Sequence, residues 1–332
     1  MKILLVEPLE PPVFSRTPVF SQEFIVGSHS VLPTPPPTTI AGLIGFIHGV
    51  SLEEYSNLDH MDLLGKLVEE LKNCERPLVK GPIVWFKGVS DKPYICLSNV
   101  CAPVKMKEDG FEIAYEEFIK PIIEERVGVK LVRGYGGEVA KIIDKGYMYR
   151  YSTIRYVRES DGTSVNPTFV YKFNCTIDVK PNVHRVGGES RMARVEVVDQ
   201  ESMPGDIVKV LENLENPIDI RDGDLHIAIT PIPLIPLAED KPQLVLGTIK
   251  PNVLGLEFVE EIVGIIPLKR DVKPKRKIER LSLGYSEVLE ARRPQILALP
   301  TGTIVKTRKP PASVEKALET LWNIGMPTLL KL

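Results

Sequence analysis

Residues 33–37 read PTPPP, four prolines in five positions, and they run straight into TTIAGLIG. Proline fixes its own φ, lacks an N–H and pushes the residue before it into extended backbone. This stretch therefore excludes both a helix interior and a central strand. It is a stiff, extended lead. The apolar, glycine-dotted run behind it, residues 38–49, predicts a short buried helix.

A chain of 332 residues allows two ordinary domains or one large one. With 43% hydrophobic and 26% charged residues it can bury a core, which argues against disorder. No apolar run reaches the roughly 18–20 residues of a membrane span. The opening MKILLVEP is too short for a signal-peptide core and reads as a first strand, so a cytoplasmic protein without a membrane partner is expected. Cys74, Cys96, Cys101 and Cys175 form no C-x-x-C pair, and the histidines do not stand at zinc-finger offsets from them. Buried or half-buried thiols are expected, with no metal and no cofactor. The net charge of −2 hides an asymmetry: residues 241–332 hold 16 Lys and Arg against 9 Asp and Glu, net +7, which leaves −9 on residues 1–240. A basic surface for a polyanion can coexist with that near-neutral total.

Along the chain, 2–7 and 19–27 read as strands and 59–73 as an amphipathic helix. Residues 82–89 and 94–100 read as strands around a turn, and 111–128 as helical up to Pro121. From about 147 the pattern turns β-rich, with DGTS at 161–164 as a turn. Residues 212–224 look like a polar junction, after which LHIAITPIPLIPL opens a second strand-led unit. QILALPTGTIVKT reads as strand–turn–strand and 313–325 as a last amphipathic helix. The fold class expected is α+β: two ferredoxin-like (RRM-like) βαββαβ domains with long insertions, residues 1–205 and 206–332. A doubly wound fold is excluded because regular β–α alternation is missing. No internal sequence repeat stands out.

VGGESR at 186–191 is the sharpest local motif. Two glycines permit positive φ and leave backbone N–H groups uncovered, and such groups make anion nests. Arg191 and Arg194 follow, and His184 and Arg185 precede. LKRDVKPKRKIER at 268–280 carries seven basic residues, suited to phosphates without sequence preference. Tyr147, Tyr149 and Tyr151 alternate with arginines and could present a stacking face. Each motif also has a plain reading as turn, solvated loop or core packing.

Taken together, LPTPPPTTIAGLIGF, VEPLEPPVF, VGGESRMARVEV and LALPTGTIVKT resemble the RAMP (repeat-associated mysterious protein) superfamily. They are most similar to the third subunit of the Cmr complex, the type III-B CRISPR effector. The closing WNIGMPTLLKL lacks the glycine–phenylalanine–glycine finish of many relatives. The resemblance implies a non-catalytic RNA-binding subunit that holds the 5′ repeat-derived tag of the crRNA. It implies docking against the large polymerase-like subunit and a neighbouring RAMP backbone subunit.

On that reading Gly187, Gly188, Glu189, Ser190, Arg191 and Arg194 hold the tag backbone, and Ser28, His29, Thr38 and Thr39 line the same groove. Lys269, Arg270, Lys273, Lys275 and Arg276 add phosphate contacts. Thr38 or Thr39 would cap the helix. Ala41, Gly42 and Gly45 would let strands or RNA approach it, and its N-terminus would offer N–H groups to phosphate. The rival readings are a metal-independent RAMP endoribonuclease that matures CRISPR RNA, with His29 as base, and an unrelated binding protein or enzyme with an anion-binding glycine loop.

Overall fold

The computed structural model describes residues 1–17, 30–97, 100–107, 110–114, 116–133, 141–177, 179–188, 191–236, 244–245, 248–249, 253–266 and 278–332. Outside them lie the strand expected at 19–27, Ser28, His29, Glu189, Ser190, Lys269, Arg270, Lys273, Lys275 and Arg276.

The chain opens with β1 (Lys2–Pro8), as its apolar run predicts. Past the proline lead come α1 (Pro37–Ile47) and α2 (His60–Glu70). Asp59 caps α2 by accepting from the N–H groups of Met61 and Asp62; those two bonds hold its carboxyl below the usual carboxylate range. Then follow β2 (Cys74–Trp85), β3 (Tyr94–Leu97) and β4 (Val100–Lys107). A long hairpin of β5 (Ile119–Arg133) and β6 (Lys141–Arg158) comes next. It is followed by β7 (Thr168–Cys175), β8 (Asn182–Arg185) and β9 (Met192–Asp199). These strands form one antiparallel sheet in the order β6–β5–β4–β3–β2–β7–β1–β9–β8.

After α3 (Gly205–Glu212) the chain builds β10 (Leu225–Ala228), β11 (Ile232–Pro236) and β12 (Val259–Ile265). Then come β13 (Gln295–Leu299), β14 (Thr303–Thr307), α4 (Lys316–Asn323) and β15 (Leu329–Lys331). A second antiparallel sheet runs β15–β10–β14–β12, while β11 pairs with β13 in a smaller one. The chain is thus α+β, with mostly antiparallel sheets and few helices.

The two halves share a strand order. Numbered by their order in the chain, β1, β2, β7 and β9 lie 2-3-1-4 in space, and so do β10, β12, β14 and β15. The helices differ. In the first half α1 and α2 connect strands one and two; in the second, α4 connects strands three and four. Among the described residues the other connection in each half holds no α-helix.

Both faces of the first sheet are buried at its centre, so β1, β2, β3 and β7 read as nearly continuous apolar runs rather than clean alternation. Leu4 and Val6 of β1 face α1 and α2, and Leu321, Ile324 and Met326, in and after α4, join that same cluster. Ile3 and Leu5 face the other way, onto Ile207, Val210 and Leu211 of α3 and onto Ile227 and Leu330 of the second sheet. A third cluster, with Phe258, Leu318 and Trp322, fills the second half. The halves are also joined by polar groups. Lys80, 8% exposed, pairs with Asp219 at 2.7 Å, and the Gly81 N–H donates to Thr328 Oγ1 at 3.1 Å.

Three expectations need correction. Among the described residues, those of 111–121 are not helical: Gly110–Ile113 is a strand, and β5 starts at Ile119. Ladder hydrogen bonds outweigh the helical preference of the Glu and Lys residues there: Gly110–Ile113 pairs with β4, from Lys107↔Gly110 to Val104↔Ile113, and β5 pairs with β6 from Ile119↔Arg158 onward. The junction at 212–224 is preceded by α3, which the sequence reading did not assign. The expected thiols are disulfides, Cys74–Cys175 and Cys96–Cys101, because the sheet places both pairs opposite each other with Cα atoms 3.9 Å apart. Among the described residues no helix is long and apolar enough to cross a membrane.

Candidate nucleic-acid interface

Four stretches far apart in sequence meet at one seam. At its centre is the segment leaving β1, residues 10–14. Gly187 presses on it with φ +86°; a Cβ there would stand 2.6 Å from the Val13 carbonyl oxygen and 3.0 Å from the Phe14 ring, so only glycine fits. The Gly188 N–H donates to that carbonyl at 2.9 Å. On the other side the Leu32 N–H donates to the Phe14 carbonyl at 2.7 Å, and the buried Tyr156 hydroxyl donates to the Pro33 carbonyl. The proline lead then shares a small cleft with Thr230, Leu281 and Thr301. Thr301 sits in the LPTGT turn between β13 and β14.

Arg191 anchors the glycine turn. Its side chain is 12% exposed and pairs with Glu10, whose other oxygen accepts from the Met192 N–H at 3.3 Å. Nη2 donates to the Tyr151 hydroxyl at 2.7 Å, and the guanidinium lies 5.4 Å from the centre of the same ring. The Arg191 N–H donates to the Gly188 carbonyl, and its own carbonyl accepts from Val186, which closes the turn. Of the nest expected at the glycines, the Gly188 N–H is already committed to the Val13 carbonyl. Of the three tyrosines expected to form a stacking face, Tyr151 carries an arginine; the side chains of Tyr147 and Tyr149 lie outside those described.

The structure brings together some candidates and separates others. Gly187, Gly188 and Arg191 share the seam. Arg194 is half-exposed, 3.3 Å from Glu196, and alternates with the buried Ala193 and Val195, so it faces the opposite side of the sheet from α1. Thr38 and Thr39 do not cap α1. The helix begins at Pro37 with Pro36 as its N-cap and no side-chain cap. Pro37 takes the first helical position, where its missing N–H matters least, which puts the threonines inside the first turn. Thr38 is buried, with no hydrogen-bond partner for its hydroxyl among the described residues. The close approach allowed by Gly45 is used by α2: a Cβ there would stand 2.4 Å from Leu67 Cδ1. Glu10 and Tyr151 were missed as partners of Arg191; the signal was an acidic residue inside the otherwise apolar LEPPVF.

The second half holds a Thr307–His226–Glu215 relay. Nε2 of His226 lies 2.7 Å from Glu215, and Nδ1 lies 3.3 Å from Thr307 Oγ1. His226 and Thr307 are wholly buried, and the Thr307 hydroxyl is within bonding distance of the Arg221 and Asp224 carbonyls. The relay is therefore structural. The His226 hydrogen bond holds the Glu215 carboxyl below its usual range. A depressed pKa contributes stability above the unfolded value of about 4.3, lost as pH falls through the lower folded value. Glu215→Gln should accordingly flatten the acid limb of a stability-versus-pH curve below about pH 4.3. An unchanged acid limb would rule out that contribution.

No protein-family model matches this chain, and no curated protein matches it. Its fold is similar to that of a chain in the cryo-EM structure of type III-B Cmr-beta bound to cognate target RNA. The TM-score is 0.54 at 17% identity, covering 99% of this chain and 96% of that one. A chain in type III-B Cmr-beta bound to cognate target RNA and AMPPnP, state 1, gives a TM-score of 0.51 at 18% identity, covering 92% and 86%. At these identities the likeness is one of fold.

Proposed function

We propose that this chain is a non-catalytic RNA-binding subunit of a type III-B CRISPR (Cmr) effector complex. It consists of two ferredoxin-like units, residues 1–205 and 206–332, each with strand order 2-3-1-4. It holds the 5′ repeat-derived tag of the crRNA and docks the large polymerase-like subunit and a neighbouring RAMP subunit. One observation carries the proposal. Three of the motifs that resemble the family, VEPLEPPVF, the proline lead and the glycine turn, meet at the seam around Val13 and Phe14, and the fourth, LPTGT, borders a cleft with the proline lead, in a chain whose fold is like that of Cmr-beta chains. Residues that merely terminate local elements have no reason to meet. In this reading the glycine turn and the proline lead form one rigid edge, Arg191 positions the turn, and Arg194 and the basic loop near 270 supply charge to the phosphates.

The test is a gel shift and cleavage assay with end-labelled, repeat-tagged RNA in EDTA at two salt concentrations, with and without the large subunit. Salt-sensitive binding of intact RNA, tightened by the partner, is expected. Arg194→Ala should weaken binding across sequences and lower the salt slope by about 1. Absence of binding even with the partner would refute the proposal. A discrete cut abolished by His29→Ala would replace it with the endoribonuclease.

A further inference from the structure

His48, Cys74 and Cys175 come from three separate elements and converge. His48 is the C-cap of α1, Cys74 begins β2, and Cys175 ends β7. Their ligand atoms all lie within 4.8 Å of one another, with Nε2 of His48 4.0 Å from Cys74 Sγ. Among the described residues this is the one group of three His, Cys, Asp or Glu side chains close enough to share an ion. We propose that, once a dithiol reductant has opened the Cys74–Cys175 bond, these three side chains bind a zinc-class divalent cation, with a fourth position left to solvent.

The chemistry of the donors fits. Two thiolates and one imidazole are a soft, nitrogen–sulfur set that suits zinc over hard cations. Tetrahedral zinc holds its sulfurs about 3.8 Å apart, given Zn–S bonds of about 2.3 Å. Side-chain rotation at the end of the β2–β7 ladder can supply that separation. Both sulfurs are buried and His48 is partly exposed, so an ion would enter from the His48 side. The electrons balance: the reductant's two thiols pass two electrons and two protons to the disulfide and become a disulfide themselves. Cation binding then releases the two thiol protons. A bound ion would tie the C-terminus of α1, the helix led by the prolines, to the ends of two central strands.

Cobalt(II) is the probe, titrated into the full chain before and after reduction. Reduced wild-type protein should show a thiolate-to-cobalt charge-transfer band and the visible d–d bands of a tetrahedral ion, at one cobalt per chain. The Cys96→Ser/Cys101→Ser variant should show the same. Unreduced protein and reduced Cys175→Ser should show neither. His48→Gln leaves both sulfurs in place and should raise the cobalt Kd by at least about tenfold, the lower range for losing even an outer partner of a metal ligand. Absence of bands in reduced wild-type protein, bands that survive Cys175→Ser, or an unchanged Kd for His48→Gln would each overturn the assignment.

Discussion

Gly325→Ala should lower the unfolding free energy by about 3 kcal/mol or more, one of the largest single-residue effects expected in this chain. Gly325 ends α4 with φ +99°, a conformation that L side chains rarely adopt. An added Cβ would also stand 2.1 Å from the Val79 carbonyl oxygen on β2. That oxygen is backbone in the middle of the first sheet and cannot move without breaking its ladder. The contact is where the second half is pressed onto the first: Leu321, Ile324 and Met326 flank it in the shared core, and Thr328 accepts from Gly81 nearby. Gly42→Ala is the control. It is a helix-interior glycine with nothing among the described residues within 4 Å of a Cβ, and alanine there should stabilise by about 0.5–1 kcal/mol. Urea unfolding of both variants decides the matter. A Gly325→Ala loss below about 1 kcal/mol would mean that the two halves are not held together at this point.

Arg191→Ala should cost about 2 kcal/mol of stability and weaken RNA binding. Hydrogen bonds to charged groups contribute about 1.5–3 kcal/mol, and the lower half applies because Glu10 is 37% exposed. The substitution leaves Glu10 with the Met192 N–H but without its cation, and it frees the turn that Gly187 and Gly188 seat on Val13. A double-mutant cycle with Glu10→Gln should give a coupling of about 1 kcal/mol or more, against additivity within about 0.5 kcal/mol for independent groups. The RNA readout separates two roles. If Arg191 positions the turn, Glu10→Gln should weaken RNA binding as well. Tighter binding would mean that Glu10 merely sequesters an arginine whose place is on the phosphates.

Much of the first half was legible. The apolar run of β1 and the helices behind the prolines follow from periodicity and turn residues, as do, in the second half, the strand–turn–strand at 295–307 and α4. The misreadings share a cause. Residues 111–121 carry helix-favouring Glu and Lys, and only pairing with 104–107 at one end and with 141–158 at the other makes strands there. The cysteines stand 101 and 5 residues apart, spacings without meaning until the sheet sets them opposite each other. Arg191 looked like a free cation because sequence shows charge but not the partner 181 residues away.

The sequence by itself determined local structure: where backbone must be extended, where φ must be positive, and which faces are apolar, because those depend on residues within a few positions of one another. The tertiary structure decided what each motif touches. The shared strand order of the two halves, the seam at Val13 and Phe14, the commitment of Arg191 to Glu10 and the meeting of His48 with two cysteines are all long-range contacts. They depend on which strands pair and which faces stack, and those choices are made by summed burial over the whole chain rather than by any segment of it.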